Sequence, residues 1–386
     1  MANSIQKMIK IPLTKPYFTE EEMKAVFKVL NSGWVTQGEK VEEFEKKFAQ
    51  YSGAKYAVAL NSATSGLHLS LLALGIGEGD EVILPPFTHI ATANSIEYVG
   101  AKPIFADIDS KTYNINPSYI EKKITKRTKA IIPVHLFGLC ADMKPIMRLA
   151  KKHHLYIIED AACALGSRYF GKFAGTFGEL GVFSLHPRKI ITTGEGGMAV
   201  TNNRKLYEKL KVLRSHGATV SDLERHKKGI LAQERFNILG YNYRLTDIQA
   251  AIGIEQMKKL PWIIKQRRER AHYYDRSLTN LEFIKIPYVP KTYFHTYQSY
   301  VVLIKDNSPL SRDKIRKRLE KEGISTRIGT YAIHHQGYYK RKYEIKPDDF
   351  PISLRAEKRT ITLPLYPQMS KKEQDYVIER LKKCVE

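Results

Sequence analysis

The stretch GVFSLHPRKIITTGEGGMAVT runs an apolar strand straight into a polar loop holding one lysine, Lys189, a proline and a glycine-rich turn. Lys189 is thereby expected at the carboxyl end of a strand, the edge of an open α/β sheet where ligands bind. A lysine becomes a nucleophile when desolvation or nearby cations lower its pKa, and His186 and Arg188 are close in sequence. Standing alone, such a residue reads as an ordinary loop lysine. It does not stand alone: LYIIEDAACALGS puts Asp160 at the end of a second buried strand, where an acid needs a partner or a function. An aspartate paired with a protonated pyridine nitrogen has both, since the ion pair keeps the ring cationic and able to take up electrons when a bound amino acid loses its Cα proton. The competing reading of Asp160 is a helix N-cap ahead of the helical-looking AACALG.

A third stretch, VALNSATSGLHLSLLALG, ends a strand in small polar residues and opens a helix near Ser65. Free backbone N–H groups at Ala63 and Thr64, the Thr64 hydroxyl and the helix dipole would together hold a phosphate dianion. A plain capped helix start explains the same residues. The three stretches share one pattern, in which a buried strand delivers a polar residue to its carboxyl end.

Elements of the right kind surround them. From about Tyr56 to Val200, short apolar segments alternate with segments of helical period, the signature of a mainly parallel sheet covered by helices. Seven strands are expected near Ala57–Leu60, Glu81–Leu84, Pro103–Ala106, Ala130–His135, Leu155–Glu159, Gly181–Ser184 and Met198–Thr201. Helices such as Ser65–Leu74, Ile90–Val99 and Lys144–His153 lie between most of them. Leu245–Leu260 has helical spacing, and Pro261 punctuates the start of a long charged helix, Ile264 to Leu278. A large unit over 1–260 and a smaller α+β unit over 261–386 follow, the latter with a strand at Tyr300–Ile304, a helix at Ser311–Glu322 and a closing helix at Lys371–Val385.

With 43% hydrophobic and 27% charged residues, the composition is that of a globular chain, and the longest uncharged stretch, Tyr56 to Gly77, carries too many polar groups for a lipid-facing helix. The start lacks a secretory h-region, and three scattered cysteines, Cys140, Cys163 and Cys384, make no disulfide framework, so the cytoplasm is the expected compartment. A formal charge of +23 favours anionic partners, but the cations are spread along helical stretches as on a solvated surface. No helix-turn-helix, zinc or aromatic-interleaved module accompanies them, so neither a nucleic acid nor a metal is expected.

In combination these motifs resemble the DegT/DnrJ/EryC1/StrS group of sugar aminotransferases, which have the aspartate aminotransferase fold and use pyridoxal 5'-phosphate. The likeness begins at IPLTKPYFTEEE and GWVTQGEKVEEFEKKFA and continues through NSATSGLHLSLLALGIGEGDEVILPPFTHIATANSIEYVGAKPIFADID, IIEDAACALGS, FSLHPRKIITTGEGG and LGYNYRLTDIQAAIG. It implies a fold type I α/β enzyme in which Lys189 is the Schiff-base lysine, Asp160 partners the pyridine nitrogen, and Ser184 joins Ala63 and Thr64 on the phosphate. His89 falls where the family stacks a ring on the cofactor. Asn242 matches an asparagine that reaches the cofactor of the neighbouring subunit, which implies a homodimer with shared active sites. Cys163 stands where relatives commonly carry Gln or His near the cofactor, and the reading preferred here is that it fills space.

The implied reaction carries an amino group from an amino acid, glutamate, to a nucleotide-linked keto sugar, a 4-keto-6-deoxyhexose, for amino-sugar, polysaccharide or glycoside synthesis. Lys189 speaks against the related sugar dehydratases, in which the resemblance places histidine at that position. STRIGTYAIHHQGYYKRKY resembles the substrate-facing segment of the family, making Arg327, His334 and Tyr338, together with His186, candidates for substrate contact. A packed loop with a surface KRK explains that segment equally well.

Overall fold

The structure is a computed structural model that describes residues 10–220, 223 and 235–384. Its centre is a seven-stranded sheet in the order Tyr56–Leu60, Gly197–Thr201, Leu180–Ser184, Tyr156–Asp160, Thr128–Ile131, Glu81–Leu84, Lys102–Phe105. Every strand but Gly197–Thr201 runs parallel to the rest, and that strand opposes both its neighbours. The strands are apolar throughout because both faces are covered. Val58, Leu60, Val82, Leu84, Ile158 and Val182 enter one core, whereas Ala57, Ala59, Ile83, Ile157 and Phe183 enter the other. This alternation is the two-residue period of a strand carried into two packed layers.

A second sheet of four antiparallel strands, ordered Ile284–Lys285, Tyr300–Ile304, Thr360–Leu363, Arg327–Ile328, packs with the helices Arg312–Lys321 and Lys371–Lys383 around Val302, Ile315, Leu319, Ile361 and Val377. A short antiparallel pair, Phe87–Thr88 with Tyr331–Ala332, stitches the chain just beyond Arg327–Ile328 onto the central sheet's binding edge. No helix among the described residues is long and apolar enough to cross a membrane.

Several local expectations shift. The helix expected near Ser65 starts at Ala63, because Ser62 caps it and accepts the Ser65 N–H. The strand expected over Ala130–His135 spans Thr128–Ile131, with Val134 making only an isolated bridge to Asp160; Pro133 has no N–H to give a ladder. AACALG forms turns rather than a helix. Pro261 does not begin a new helix: a single helix, Asp247–Leu278, runs through it, so position 261 lies inside an element. The backbone bond that proline removes is offset by the buried side chains around it, Leu260, Ile263 and Ile264.

Candidate active site

All the parallel strands end at one edge, and the sequence's chemical residues gather there. Leu60 pairs with Gly197, and Gly197 pairs in turn with Ser184, so the strand ends sit side by side. A Cβ on Gly197 would lie 2.3 Å from the Ser62 carbonyl oxygen and 2.5 Å from the Ala63 nitrogen. Only glycine lets the first turn of Ala63–Ala73 sit this close to the sheet edge. Within that turn Ser62 Oγ accepts the Ser65 N–H at 3.1 Å, and Ser65 Oγ donates to Asn61 Oδ1 at 2.6 Å. The Ala63 and Thr64 N–H groups make no bond to a protein acceptor among the described residues. They are the orphan donors of a helix N-terminus, with the positive end of its dipole behind them. Half-buried Ser184 stands beside this cradle, its hydroxyl 3.4 Å from the His186 N–H.

Asp160 is 5% exposed at the end of its strand. Its Oδ1 accepts the Ala162 N–H at 3.1 Å and its Oδ2 accepts the Thr92 hydroxyl at 2.8 Å. The strand end is anchored from the other face by Glu159, which is fully buried and accepts N–H groups from Gly175, Phe177 and Gly178 as well as His135 Nε2 at 2.7 Å. His135 Nδ1 accepts the Ala141 N–H, which fixes the ring's remaining hydrogen on Nε2, toward Glu159.

Lys189 is half-buried and its Nζ donates to Cys163 Sγ at 3.2 Å. Its backbone N–H is held by the His186 carbonyl, and the Arg188 carbonyl accepts from Gln298 at 2.6 Å, which braces the loop from outside. His89 caps the helix Ile90–Tyr98, its Nδ1 accepting the Ala91 N–H at 3.2 Å. The residue is exposed to solvent. The surrounding protein nevertheless strips enough water from it to hold its pKa below the ordinary value; Lys189, Arg327 and His186 add repulsion, and Asp160 opposes them. These four groups are therefore near enough to act on His89 electrostatically. A ring kept neutral in this way offers a flat, weakly polar surface. Arg327 also donates to the Tyr331 hydroxyl at 3.2 Å.

Not every candidate joins this group. His334 is fully buried, with Nε2 at 3.2 Å from the Pro347 carbonyl and its ring against Phe350. Tyr338 is exposed and reaches Glu97 and Lys342 along the outer flank of Ile90–Tyr98. Asn242 is exposed, between Tyr241 and Tyr243, whose rings pack on His68. Conversely, Thr92, Gly197 and Tyr331 are site residues that pattern reasoning passes over. A threonine in the first turn of a helix, or the last glycine of GEGG, carries no signal until the fold sets it against Asp160 or Ser62.

Unpaired helix N–H donors beside a hydroxyl, a buried carboxylate and a half-buried amine on one strand edge form a donor set that fits pyridoxal phosphate: a phosphate cradle, an anion for a pyridinium and an amine for an aldehyde. Comparison with known proteins agrees. Residues 16–382 match the DegT/DnrJ/EryC1/StrS aminotransferase family. GDP-perosamine synthase of Escherichia coli O157:H7 is 40% identical over 96% of this chain and 97% of its own. The structure of PseC of Helicobacter pylori, an aminotransferase in pseudoaminic acid biosynthesis, superposes with a TM-score of 0.90 at 31% identity, covering 98% of this chain and 99% of that one. An aminotransferase of Streptococcus pneumoniae solved in its PLP form gives 0.91 at 30% identity over 98% and 99%. A family match over nearly the whole length, on a fold whose strand edge presents the donors that the cofactor needs, makes this chain a member of the DegT/DnrJ/EryC1/StrS family, a pyridoxal-phosphate-dependent sugar aminotransferase.

Proposed function

We propose that the chain transfers an amino group from an amino acid, glutamate, to a nucleotide-linked keto sugar, a 4-keto-6-deoxyhexose, and that it works as a homodimer. The observation that carries the reading is the convergence of Lys189, Asp160 and the start of the helix Ala63–Ala73 on one strand edge, with Arg327 beside His89 at its open side. When bound, the cofactor supplies an electron sink that no protein side chain can match.

The residues divide the remaining work. Ala63 and Thr64 N–H groups, the Thr64 hydroxyl and Ser184 hold the phosphate, and His89 packs on the ring. Asp160 sets its carboxylate toward the ring nitrogen. Lys189 serves as the covalent tether and, once displaced, moves the proton at the substrate carbon, since a free amine within reach of that atom is the natural base. Arg327 supplies a guanidinium, suited to paired contacts with a carboxylate or diphosphate oxygen at the mouth of the cleft. Asn242 is exposed, as a residue lent to a second subunit has to be. Its amide then serves the partner's phosphate site. The cysteines are all unpaired, which fits a reducing compartment and a cytoplasmic enzyme.

The test combines attachment with turnover. Borohydride treatment of the yellow holoenzyme, followed by peptide mapping, should find the cofactor fixed on Lys189. The untreated enzyme, given glutamate and a panel of nucleotide-linked keto sugars, should produce an amino sugar detected by mass. Fixation on a different lysine sinks the site assignment. Fixation on Lys189 with no amino sugar from any 4-keto-6-deoxyhexose sinks the substrate assignment alone.

A further inference from the structure

We infer that Thr92 is a positioning residue for Asp160, the inner member of a buried hydroxyl chain that runs from Thr88 through Thr92 to the carboxylate. The proposal rests on the reading that Asp160 faces the cofactor ring.

Thr88, Thr92 and Asp160 are 1%, 0% and 5% exposed, so no water competes for their bonds. Thr92 Oγ1 lies 2.8 Å from Asp160 Oδ2, 3.1 Å from Thr88 Oγ1 and 3.1 Å from the His89 carbonyl. One hydroxyl carries one hydrogen. Asp160 is the charged acceptor and the shortest contact, so the Thr92 hydrogen goes there. The His89 carbonyl keeps the backbone N–H of Thr92 as its donor. Thr92 oxygen is then left as an acceptor, and Thr88 donates to it. The direction Thr88 to Thr92 to Asp160 is the one that ends on the negative charge.

The geometry has a consequence for the carboxylate. Oδ2 is tied to the helix Ile90–Tyr98 by Thr92, and Oδ1 is tied to its own turn by Ala162. Two bonds from two elements fix the plane of the group, so its remaining lone pairs point in one direction. His89 caps the same helix, so one rigid piece carries both His89 and the threonine that orients Asp160. Thr88 also belongs to the short strand that pairs with Tyr331–Ala332, next to Arg327, which links the outer end of the hydroxyl chain to the mouth of the cleft.

The experiment is a titration of apoenzyme with pyridoxal phosphate across pH, read from the absorbance of the bound cofactor. Thr92→Val keeps the shape and removes the hydrogen. It should weaken cofactor binding about tenfold or more, the scale of a bond to a charged group. The acid limb of binding should also rise by roughly one pH unit, because a carboxylate that loses a donor holds its proton more tightly. His89 interacts electrostatically with Asp160 and also with Lys189, Arg327 and His186; these groups are common to wild type and variant, so the difference between the two curves reports the lost hydroxyl. Thr92→Ser should restore both affinity and pH midpoint. If Thr92→Val fails to fold, Thr92→Cys, a weak donor of similar size, should show the same shift in smaller measure. An acid limb identical to wild type in the folded variant overturns the inference, and so does failure of serine to rescue. A wild-type protein that takes up no cofactor at Lys189 overturns this inference together with the reading beneath it.

Discussion

A carboxylate that ends a buried strand has to be paired or neutralised, and Asp160 meets that demand with one backbone N–H and one threonine hydroxyl while leaving room for a third partner. Asp160→Asn keeps the shape but puts a neutral amide where the ring nitrogen would meet a carboxylate. The variant should bind cofactor more weakly but still fill at saturating concentration, and when saturated it should lose at least about a hundredfold in turnover, in line with the removal of a preorganised charge at a reacting centre. Stopped-flow rates with glutamate would measure it, and near-wild-type turnover would refute the role. The places of Asp160 and Lys189 on the strand edge were legible in the sequence because Asp160 closes an apolar run and Lys189 sits in the polar loop that follows another. Thr92 was not, since its partner is 68 positions away and its own helix gives no hint of which face meets the sheet. Cys163 shows the same limit. Its closeness in space to Lys189 comes from two separate loops, and its contact with the amine makes it more than filler.

Elements fix where these residues stand, and their stability carries its own pH signature. The segment between Ile284–Lys285 and Tyr300–Ile304 of the second sheet buries His295 against Tyr297, ring centroids 3.9 Å apart, with Nδ1 accepting the Tyr297 N–H. Burial above all, with repulsion from Arg268 and His272, pushes His295 down from the ordinary 6.5 to about 3. Below pH 6.5 the unfolded chain takes up a proton there that the native protein refuses, so stability falls as the pH falls toward about 3. For this group the slope is about 1.4 kcal/mol per pH unit. His295→Asn retains an acceptor for the Tyr297 N–H and removes the titration. Urea unfolding at several pH values between 7 and 5 should therefore give the variant a shallower loss of stability by one proton; equal slopes would show that His295 is not the group concerned. Strand and helix positions were readable from periodicity, most of them within two residues. The exceptions share one cause, that proline and small polar residues are ambiguous until tertiary contacts are known. Pro261 reads as a stop, yet the buried residues on either side of it carry the helix through.

At the scale of the whole molecule, the formal charge of +23 singles out no partner, whereas the proposed homodimer makes the exposed Asn242 a residue to test. If Asn242 serves the neighbouring subunit, Lys189→Ala and Asn242→Asp, each folded, dimeric and nearly inactive alone, should complement each other. A mixed dimer holds one site with both lesions and one with neither. Random mixing of differently tagged subunits sets the ceiling at about a quarter of wild-type activity. No recovery with mixing proven would place Asn242 in its own subunit's site. The long helix Asp247–Leu278 has a different bearing. Its first half contributes Ala250, Ile254, Met257, Leu260, Ile263 and Ile264 to the core beneath the central sheet, and its last turns contribute Ala271, Tyr274 and Leu278 to the core of the second sheet. Neither core can lose its packing without freeing part of an element that the other needs. Heating should therefore melt both in a single calorimetric transition, with equal calorimetric and van't Hoff enthalpies per cooperative unit, so the enzyme would have no half-molten form in which the cofactor-binding layers survive the loss of the remainder.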